Sequence, residues 1–154
     1  MRTFTLFLIL AGTVSACRER SAQPAAATPD SAMAPVSPPL SGDWTLVVLH
    51  GAPAPVGAGD RPATLSFLAE VGRVGGFAGC NRIAGPYRMA GDSLVFGPLA
   101  MTRMACDKGM DLEQQFTAAL DSTRRWRQSA DTLDFLGADG ATVARLVRQP
   151  SPTE

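Results

Sequence analysis

The chain has 154 residues, the length of one ordinary domain. Its 14 basic residues balance its 14 acidic residues, which argues against a dedicated nucleic-acid-binding protein, because such proteins normally carry a basic surplus. Hydrophobic residues make up 45% of the chain, enough for a core, so the composition excludes wholesale disorder. The 15 glycines and 12 prolines predict short, turn-rich elements rather than a helical bundle.

Residues 1–16 have the pattern of a secretory signal peptide. Arg2 precedes an apolar run that is too short to span a bilayer as a helix, which needs about 20 residues. The segment Val14-Ser15-Ala16-Cys17 resembles the lipobox of bacterial lipoproteins. This resemblance implies that Cys17 becomes the first mature residue and carries fatty acyl chains such as palmitate, which would make the membrane a partner. Ordinary cleavage after Ala16 is the alternative.

Residues 17–40 are predicted to be a tether. After the lipidated cysteine this segment consists mainly of Ala, Pro, Ser and Thr, which cannot build a core, so we expect disorder up to residue 40. In lipoproteins resembling this one, an acidic residue directly after the cysteine favours the inner membrane. Arg18 occupies that position here, which predicts the periplasmic face of the outer membrane. The folded domain is predicted over 41–148, with a flexible tail at 149–154.

Period-two patterns dominate the folded domain and predict eight strands. They lie at 44–49, 63–68, 73–77, 87–89, 94–96, 125–129, 132–136 and 143–147. Turn sequences at 90–92 and 137–140 favour antiparallel hairpins between neighbouring strands.

One segment, 110–120, has helical spacing instead. Its apolar positions fall four apart on one face, at Leu112, Phe116 and Leu120. Glu113, Gln114 and Gln115 are expected outside, and Asp107 or Asp111 is expected to cap the start of the helix. The predicted fold class is α+β: a small curled antiparallel sheet with one inserted helix.

Two cysteine motifs are the most distinctive features of the domain. The first is Gly79-Cys80-Asn81-Arg82, followed by Gly85-x-Tyr87, and its glycines predict positive φ angles or close approach of another segment. The second is Thr102-Arg103-Met104-Ala105-Cys106, directly ahead of the helix. The first motif is not a phosphate loop, because no Gly-Lys-Ser/Thr follows it.

Together with Glu-Gln-x-Phe at 113–116, these motifs resemble the META domain family, which includes the HslJ-like heat-inducible lipoproteins of bacterial envelopes. The resemblance covers 42–147 and departs at Asp107, where many relatives have Pro, and at Ile83-Ala84, where aromatic pairs are common. It implies an incomplete β-barrel with one helix, an envelope location, an association with stress response or secretion, and no established catalytic mechanism. The signature positions would then be structural or binding residues: Gly79, Asn81, Arg82, Gly85, Tyr87, Thr102 and Arg103.

Cys80 and Cys106 are the two cysteines of the folded domain. In an exported protein they predict a disulfide, with two reduced, buried thiols as the alternative. Since 25 residues lie between them, they do not form the Cys-x-x-Cys motif of a redox enzyme. His50 is the sole histidine, so we expect no metal and no cofactor, and we assign His50 to a solvated turn.

Two further groups invite a binding role. Arg124, Arg125 and Arg127 surround Trp126, but flanking acidic residues and the alternation favour a strand with one buried aromatic side chain and a solvated face. For Asn81 the favoured interpretation is that it caps or turns the chain through its own amide; the alternative is that Asn81 and its neighbour Arg82 bind a ligand.

Three functions remain open. The first is a non-enzymatic, lipid-anchored envelope protein that supports stress tolerance or envelope integrity by binding a partner or acting as a small chaperone-like accessory. The second is a module that binds a small apolar ligand in a cavity lined by Phe67, Phe96 and Phe116. The third is an enzyme using Cys80 or a carboxylate pair. A filled interior favours the first function, and a hollow interior favours the second.

Overall fold

The computed structural model describes residues 40–150, in which short alternating strands build an antiparallel sheet. The predicted signal peptide, Cys17 and the tether up to residue 39 lie outside the described residues, as do residues 151–154. The strands are β1 (Gly42–Leu49), β2 (Ala52–Pro53), β3 (Thr64–Leu68), β4 (Arg73–Phe77), β5 (Arg82–Ala90), β6 (Ser93–Phe96), β7 (Ala100–Met101), β8 (Arg125–Ser129), β9 (Thr132–Leu136) and β10 (Thr142–Arg148). The helix α1 spans Met110–Ser122.

Eight of the strands close into a barrel. Their order is β1-β3-β4-β5-β6-β8-β9-β10, and β10 pairs back onto β1 from Trp44↔Arg148 to Leu49↔Ala144. The expectation of an incomplete barrel is therefore wrong, because the first and last strands pair with each other. The β-rich antiparallel fold with one inserted helix is confirmed, although the domain is mostly β rather than α+β. The short strands β2 and β7 add to β1 and β5.

One joint of the barrel is much narrower than the others. β6 and β8 share a single register pair, Ser93↔Arg125. The N–H of Leu94 donates to the carbonyl of Arg124 at 3.0 Å, and the N–H of Trp126 donates to the carbonyl of Asp92 at 2.9 Å. Between β6 and β8 the chain passes through β7 and α1. α1 packs against β1, β6 and β10.

Aromatic side chains fill the interior. The ring of Phe67 lies 5.2 Å from Tyr87, 6.3 Å from Phe96 and 6.4 Å from Phe135, measured between centroids. Phe96 and Phe135 are 5.4 Å apart in an edge-to-face arrangement, which aromatic pairs favour. The helix adds its predicted stripe, which is buried: Leu112, Phe116 and Leu120. Each such side chain contributes about 1.5–3 kcal/mol through burial.

The folded chain extends slightly beyond the predicted boundaries. Leu40, expected at the end of the tether, is fully buried, and its carbonyl accepts a hydrogen bond from the Tyr87 hydroxyl at 3.2 Å. At the other end, the N–H of Gln149 donates to the carbonyl of Asp43 at 2.8 Å, and its Nε2 donates to Thr45 Oγ1 at 2.7 Å. Leu40 and Gln149 therefore belong to the folded unit rather than to the tether and tail.

The helix begins differently from the prediction. Neither Asp107 nor Asp111 caps it; the N-cap is Gly109, with a φ of 92° and no side-chain hydrogen bond. A Cβ on Gly109 would lie 2.2 Å from the carbonyl oxygen of Gly79, so this backbone crossing leaves no room for a side chain. No helix within residues 40–150 is long and apolar enough to cross a bilayer.

β5 starts at Arg82, five residues earlier than the predicted strand at 87–89. The glycine-rich segment is thus partly strand, and Gly85 is buried within it. A Cβ at Gly85 would lie 2.7 Å from Leu99 Cδ2 and from the carbonyl oxygen of Pro98. Glycine at position 85 allows the 98–99 segment to pass close to β5. That segment then continues directly into β7.

Candidate functional site

Asn81, in the turn between β4 and β5, lies at the centre of a buried hydrogen-bond network. Its Oδ1 accepts from the N–H of Met104 at 2.7 Å and from Thr102 Oγ1 at 2.9 Å. Its Nδ2 donates to the carbonyl of Met104 at 3.1 Å and to Glu113 Oε1 at 3.1 Å. The amide thus uses its full bonding capacity. The expectation that Asn81 turns the chain through its own amide is wrong, because its side chain joins two distant segments.

Glu113 departs from its predicted position on the exposed face of α1. It was expected outside, but it is buried, and its Oε2 accepts from the backbone N–H of Asn81 at 2.6 Å. Glu113 lies three positions before Phe116, so it borders the apolar stripe of α1 and turns toward the barrel. That spacing is the one local signal for burial of Glu113. The donors that satisfy its carboxylate belong to a residue 32 positions away, so the local sequence does not reveal them.

The two domain cysteines reinforce this network. Cys80 and Cys106 form a disulfide with their Cα atoms 5.9 Å apart. Cys80 directly precedes Asn81. Cys106 lies two residues after Met104, whose backbone N–H and C=O both bond to the Asn81 side chain. The covalent bond and the hydrogen bonds therefore hold residues 102–106 against the barrel.

The signature residues separate into three groups, of which two are buried or hydrogen-bonded and the third consists of exposed arginines. Gly79, Asn81 and Thr102 belong to the network or to the backbone crossing beside it. Gly85 and Tyr87 act within the barrel, and burial raises the pKa of the Tyr87 hydroxyl.

Arg82 and Arg103 are exposed near the network. Neither guanidinium forms a side-chain hydrogen bond or an ion pair with another residue of the 40–150 segment. The backbone N–H of Arg82 donates to Thr102 Oγ1 at 3.0 Å, which leaves the side chain free of the network.

An open cleft runs between β7 and α1, and we call it the β7–α1 cleft. It consists of two adjoining grooves of about 750 and 360 Å³ that share Leu99 and Met101. The helix contributes one stripe to it, with residues three or four positions apart: Met110, Glu113, Thr117 and Asp121.

Three methionines expose large parts of their side chains along this cleft. The exposed fractions are 40% for Met101, 63% for Met104 and 45% for Met110. Methionine is unbranched and polarizable, so it adapts to irregular apolar surfaces and is common where proteins bind varied partners. The cleft therefore has a deformable apolar lining above a rigid, hydrogen-bonded base.

A separate groove, outside the β7–α1 cleft, lies on the outer face of the sheet beside β7, and we call it the outer groove. It has a volume of about 460 Å³. Its lining comprises Gly75, Gly76, Arg82, Ile83, Ala84, Ala100, Met101 and Thr102. Because Ala100, Met101 and Thr102 also line the cleft, β7 forms the wall between the two grooves.

The basic cluster around Trp126 is structural. Trp126 is buried, and its Nε1 donates to the carbonyl of Gly91 at 3.1 Å. Across β8, β9 and β10, Arg127 and Arg145 both bind the buried carboxylate of Asp134, at 2.7 and 2.6 Å. Hydrogen bonds from Arg145 and then from Arg127 hold the pKa of Asp134 below its usual range. The predicted pattern of a buried tryptophan and a solvated arginine face agrees with this arrangement.

The remaining candidate residues are His50 and the two cysteines. His50 is exposed, with a φ of 49°, in the two-residue turn between β1 and β2. Both cysteines between residues 40 and 150 take part in the disulfide. In that same segment, no group of three or more His, Cys, Asp or Glu side chains converges as a metal site would require.

Comparisons with known proteins identify the family and the fold. The META domain family profile matches residues 38–150. An NMR structure of a protein from Burkholderia xenovorans is similar at 26% identity and a TM-score of 0.58, covering 82% of this chain and 99% of that chain. A crystal structure of a DUF4847 family protein from Bacteroides vulgatus shares the fold at 14% identity and a TM-score of 0.51, covering 72% of this chain and 94% of that chain. No curated protein matches the chain significantly.

The profile match spans both cysteine motifs, the Asn81 network and the helix that lines the cleft. The chain therefore belongs to the META domain family.

Proposed function

We propose that this chain is a non-catalytic, lipid-anchored accessory protein of the bacterial envelope that binds an apolar segment of a partner polypeptide in the β7–α1 cleft. Through this binding it would support envelope integrity under stress. The observation that carries the proposal is the set of exposed side chains of Met101, Met104 and Met110, which line one open cleft. The base of that cleft is fixed by the disulfide and by Asn81.

The packing of the interior favours this function over a small-ligand cavity. Phe67 and Phe96, which a hollow barrel would expose to a ligand, instead contact Phe135 and each other. Phe116 is fully buried. The accessible apolar surface lies in an open cleft outside the barrel. An open cleft suits an extended polypeptide, whereas a small apolar ligand needs an enclosed cavity.

Binding of an unfolded chain tests the proposal. The probe is reduced, carboxymethylated α-lactalbumin labelled with a fluorophore, and anisotropy reports binding. We expect a variant with Met101→Gln, Met104→Gln and Met110→Gln to bind at least ten-fold more weakly than the wild type. The matched control is Leu68→Gln with Val71→Gln, two exposed apolar residues outside the cleft, which should bind as the wild type does. An equal affinity for the triple variant, or no binding by the wild type, overturns the proposal.

The lipid anchor is tested separately by intact-mass spectrometry of protein extracted from membranes. We expect the mass of a chain that begins at an acylated Cys17, and we expect Cys17→Ser to release the protein from the membrane. In a strain lacking the protein, stress tolerance should fall and should be restored by the wild type but not by the triple methionine variant. A full-length, unmodified chain or an unchanged tolerance would contradict this part of the proposal.

A further inference from the structure

The edge of β7 opposite β5 pairs with no other strand of residues 40–150 and carries main-chain groups that an incoming strand can use. β7 pairs with β5 through Ile83↔Met101 and Ala84↔Ala100. The N–H of Thr102 donates to the carbonyl of Arg82 at 3.1 Å, which makes their register position a hydrogen-bonded one. Because such positions alternate in an antiparallel ladder, the N–H and C=O of Met101 point away from β5, toward the β7–α1 cleft. An open strand edge is a template for pairing with another chain.

The cleft has the length of a short strand. Its helical wall extends from Met110 to Asp121, eleven positions apart. At a rise of 1.5 Å per residue this wall is about 16 Å long. An extended chain rises about 3.3 Å per residue, so about five residues fit between β7 and α1.

The methionines of the cleft suit the alternating side chains of a strand. Successive side chains of an added strand point to opposite faces, so every second one can pack against these methionines. Main-chain bonds would thus supply affinity while the methionines select apolar side chains.

The charges at the two ends of the cleft give the added strand a direction. Arg103 lines the end near Met104, and Asp121 lines the other end, near Thr117. The salt bridges of residues 40–150 include neither of them. β7 runs toward Arg103, so an antiparallel neighbour begins beside Arg103 and ends beside Asp121. Antiparallel pairing is the commoner arrangement, and a carboxylate would meet the guanidinium in a charge-assisted hydrogen bond.

We propose that the partner of the β7–α1 cleft is an extended peptide segment that adds to β7 as an antiparallel strand, with an acidic residue at its N-terminal end and a basic residue at its C-terminal end. This inference rests on the proposed function, because it specifies how the same cleft is filled. The acidic residue binds Arg103, the basic residue binds Asp121, and the apolar residues between them pack against the methionines.

Calorimetry with defined peptides tests the charges. The probe is acetyl-Asp-Val-Thr-Leu-Val-Lys-amide, and its counterpart has the terminal Asp and Lys exchanged. We expect the first peptide to bind the wild type at least ten-fold more tightly. The double variant Arg103→Glu with Asp121→Lys should reverse this preference while its circular dichroism spectrum stays unchanged. Equal binding of the two peptides, or an unchanged preference in the variant, overturns the proposal.

Methylated peptides test the strand. Because adjacent N–H groups of a strand point to opposite sides, N-methylation at Thr or at Leu of the probe should weaken binding at least ten-fold at one position only. Strand addition is overturned if both methylated peptides bind as tightly as the parent peptide. The proposed function still stands in that case, provided that the triple methionine variant binds the unfolded α-lactalbumin more weakly than the wild type does. If the wild type binds neither the peptides nor the unfolded protein, both are overturned.

Discussion

The carboxylate of Glu113 accepts two hydrogen bonds from the single residue Asn81, one from its backbone N–H at 2.6 Å and one from its Nδ2 at 3.1 Å. Asn81 holds the 102–104 loop with its remaining bonds. The start of α1 and the 102–104 loop are therefore positioned by the same two side chains, and the width of the β7–α1 cleft depends on this pair.

Glu113→Gln should destabilise the domain. The glutamine amide would place one of its own donors opposite a donor of Asn81, leaving buried polar groups unpaired at a cost of about 1–3 kcal/mol. Urea unfolding measures the change. The matched control is Gln114→Ala on the exposed side of the same helix turn, which should stay within about 0.5 kcal/mol of the wild type. A Glu113→Gln variant as stable as that control would contradict the assigned role of the carboxylate.

Removing the disulfide should lower the free energy of unfolding by more than Glu113→Gln does. Cys80 and Cys106 are 26 positions apart, and closing a loop of that size raises the free energy of the unfolded state by about 3.5 kcal/mol through lost chain entropy. We expect the double variant Cys80→Ser with Cys106→Ser to unfold at a correspondingly lower urea concentration. Thiol labelling of the unreduced, denatured wild type provides the independent measurement. Two reactive cysteines in the domain would contradict the bond.

Asp134→Asn should destabilise the outer face of the barrel by about 1–3 kcal/mol, since the neutral amide loses the charge-assisted bonds to Arg145 and Arg127. The folded-state pKa of Asp134 is lowered from the ordinary value of 3.8, so the carboxylate stabilises the fold above that pH. This stabilisation is lost as the pH falls through the folded-state pKa. The difference between wild type and variant, measured by urea unfolding, should therefore be constant near neutrality and shrink below pH 3.8. A difference that grows in acid would contradict the pairing.

Tyr87 should titrate above the ordinary tyrosine pKa of 10.0, because burial raises the pKa of its hydroxyl. It is the only tyrosine in the chain, so absorbance near 295 nm reports this group alone. A raised pKa stabilises the fold below pH 10.0, and this contribution is lost as the pH rises through the folded-state pKa. Tyr87→Phe should lose the bond to Leu40, about 1 kcal/mol, and should lack the tyrosine contribution to alkaline unfolding. A titration midpoint at or below 10.0 in the folded protein would be inconsistent with its burial.

Local sequence patterns predicted three strands with their observed bounds and nearly the whole helix. The strands at 73–77, 125–129 and 132–136 have the predicted bounds, and α1 starts at the predicted residue and runs two residues further. In α1 the buried apolar side chains Leu112, Phe116 and Leu120 recur four apart, and at 132–136 Leu133 and Phe135 recur two apart, so these two segments contain their own evidence. β7 has only two residues and therefore cannot display a period, although it forms one wall of the cleft.

Features that depend on distant residues were not predictable from local patterns. The barrel closes because Trp44 pairs with Arg148, more than a hundred positions away. Glu113 is buried because Asn81 supplies two donors, and a carboxylate without such donors stays exposed. The cysteines were predicted as a pair because export and an even count constrain them without any knowledge of the fold.

Seven joints of the barrel pair four or five residues each, and the joint between β6 and β8 pairs one. Local opening of the barrel should begin at this narrow joint, which we call the seam, because the fewest hydrogen bonds must break there. The amides of Leu94 and Trp126, which bridge the seam, should exchange with deuterium sooner than those of the neighbouring strands. A segment bound between β7 and α1 requires the folded domain, so its binding should raise the melting temperature.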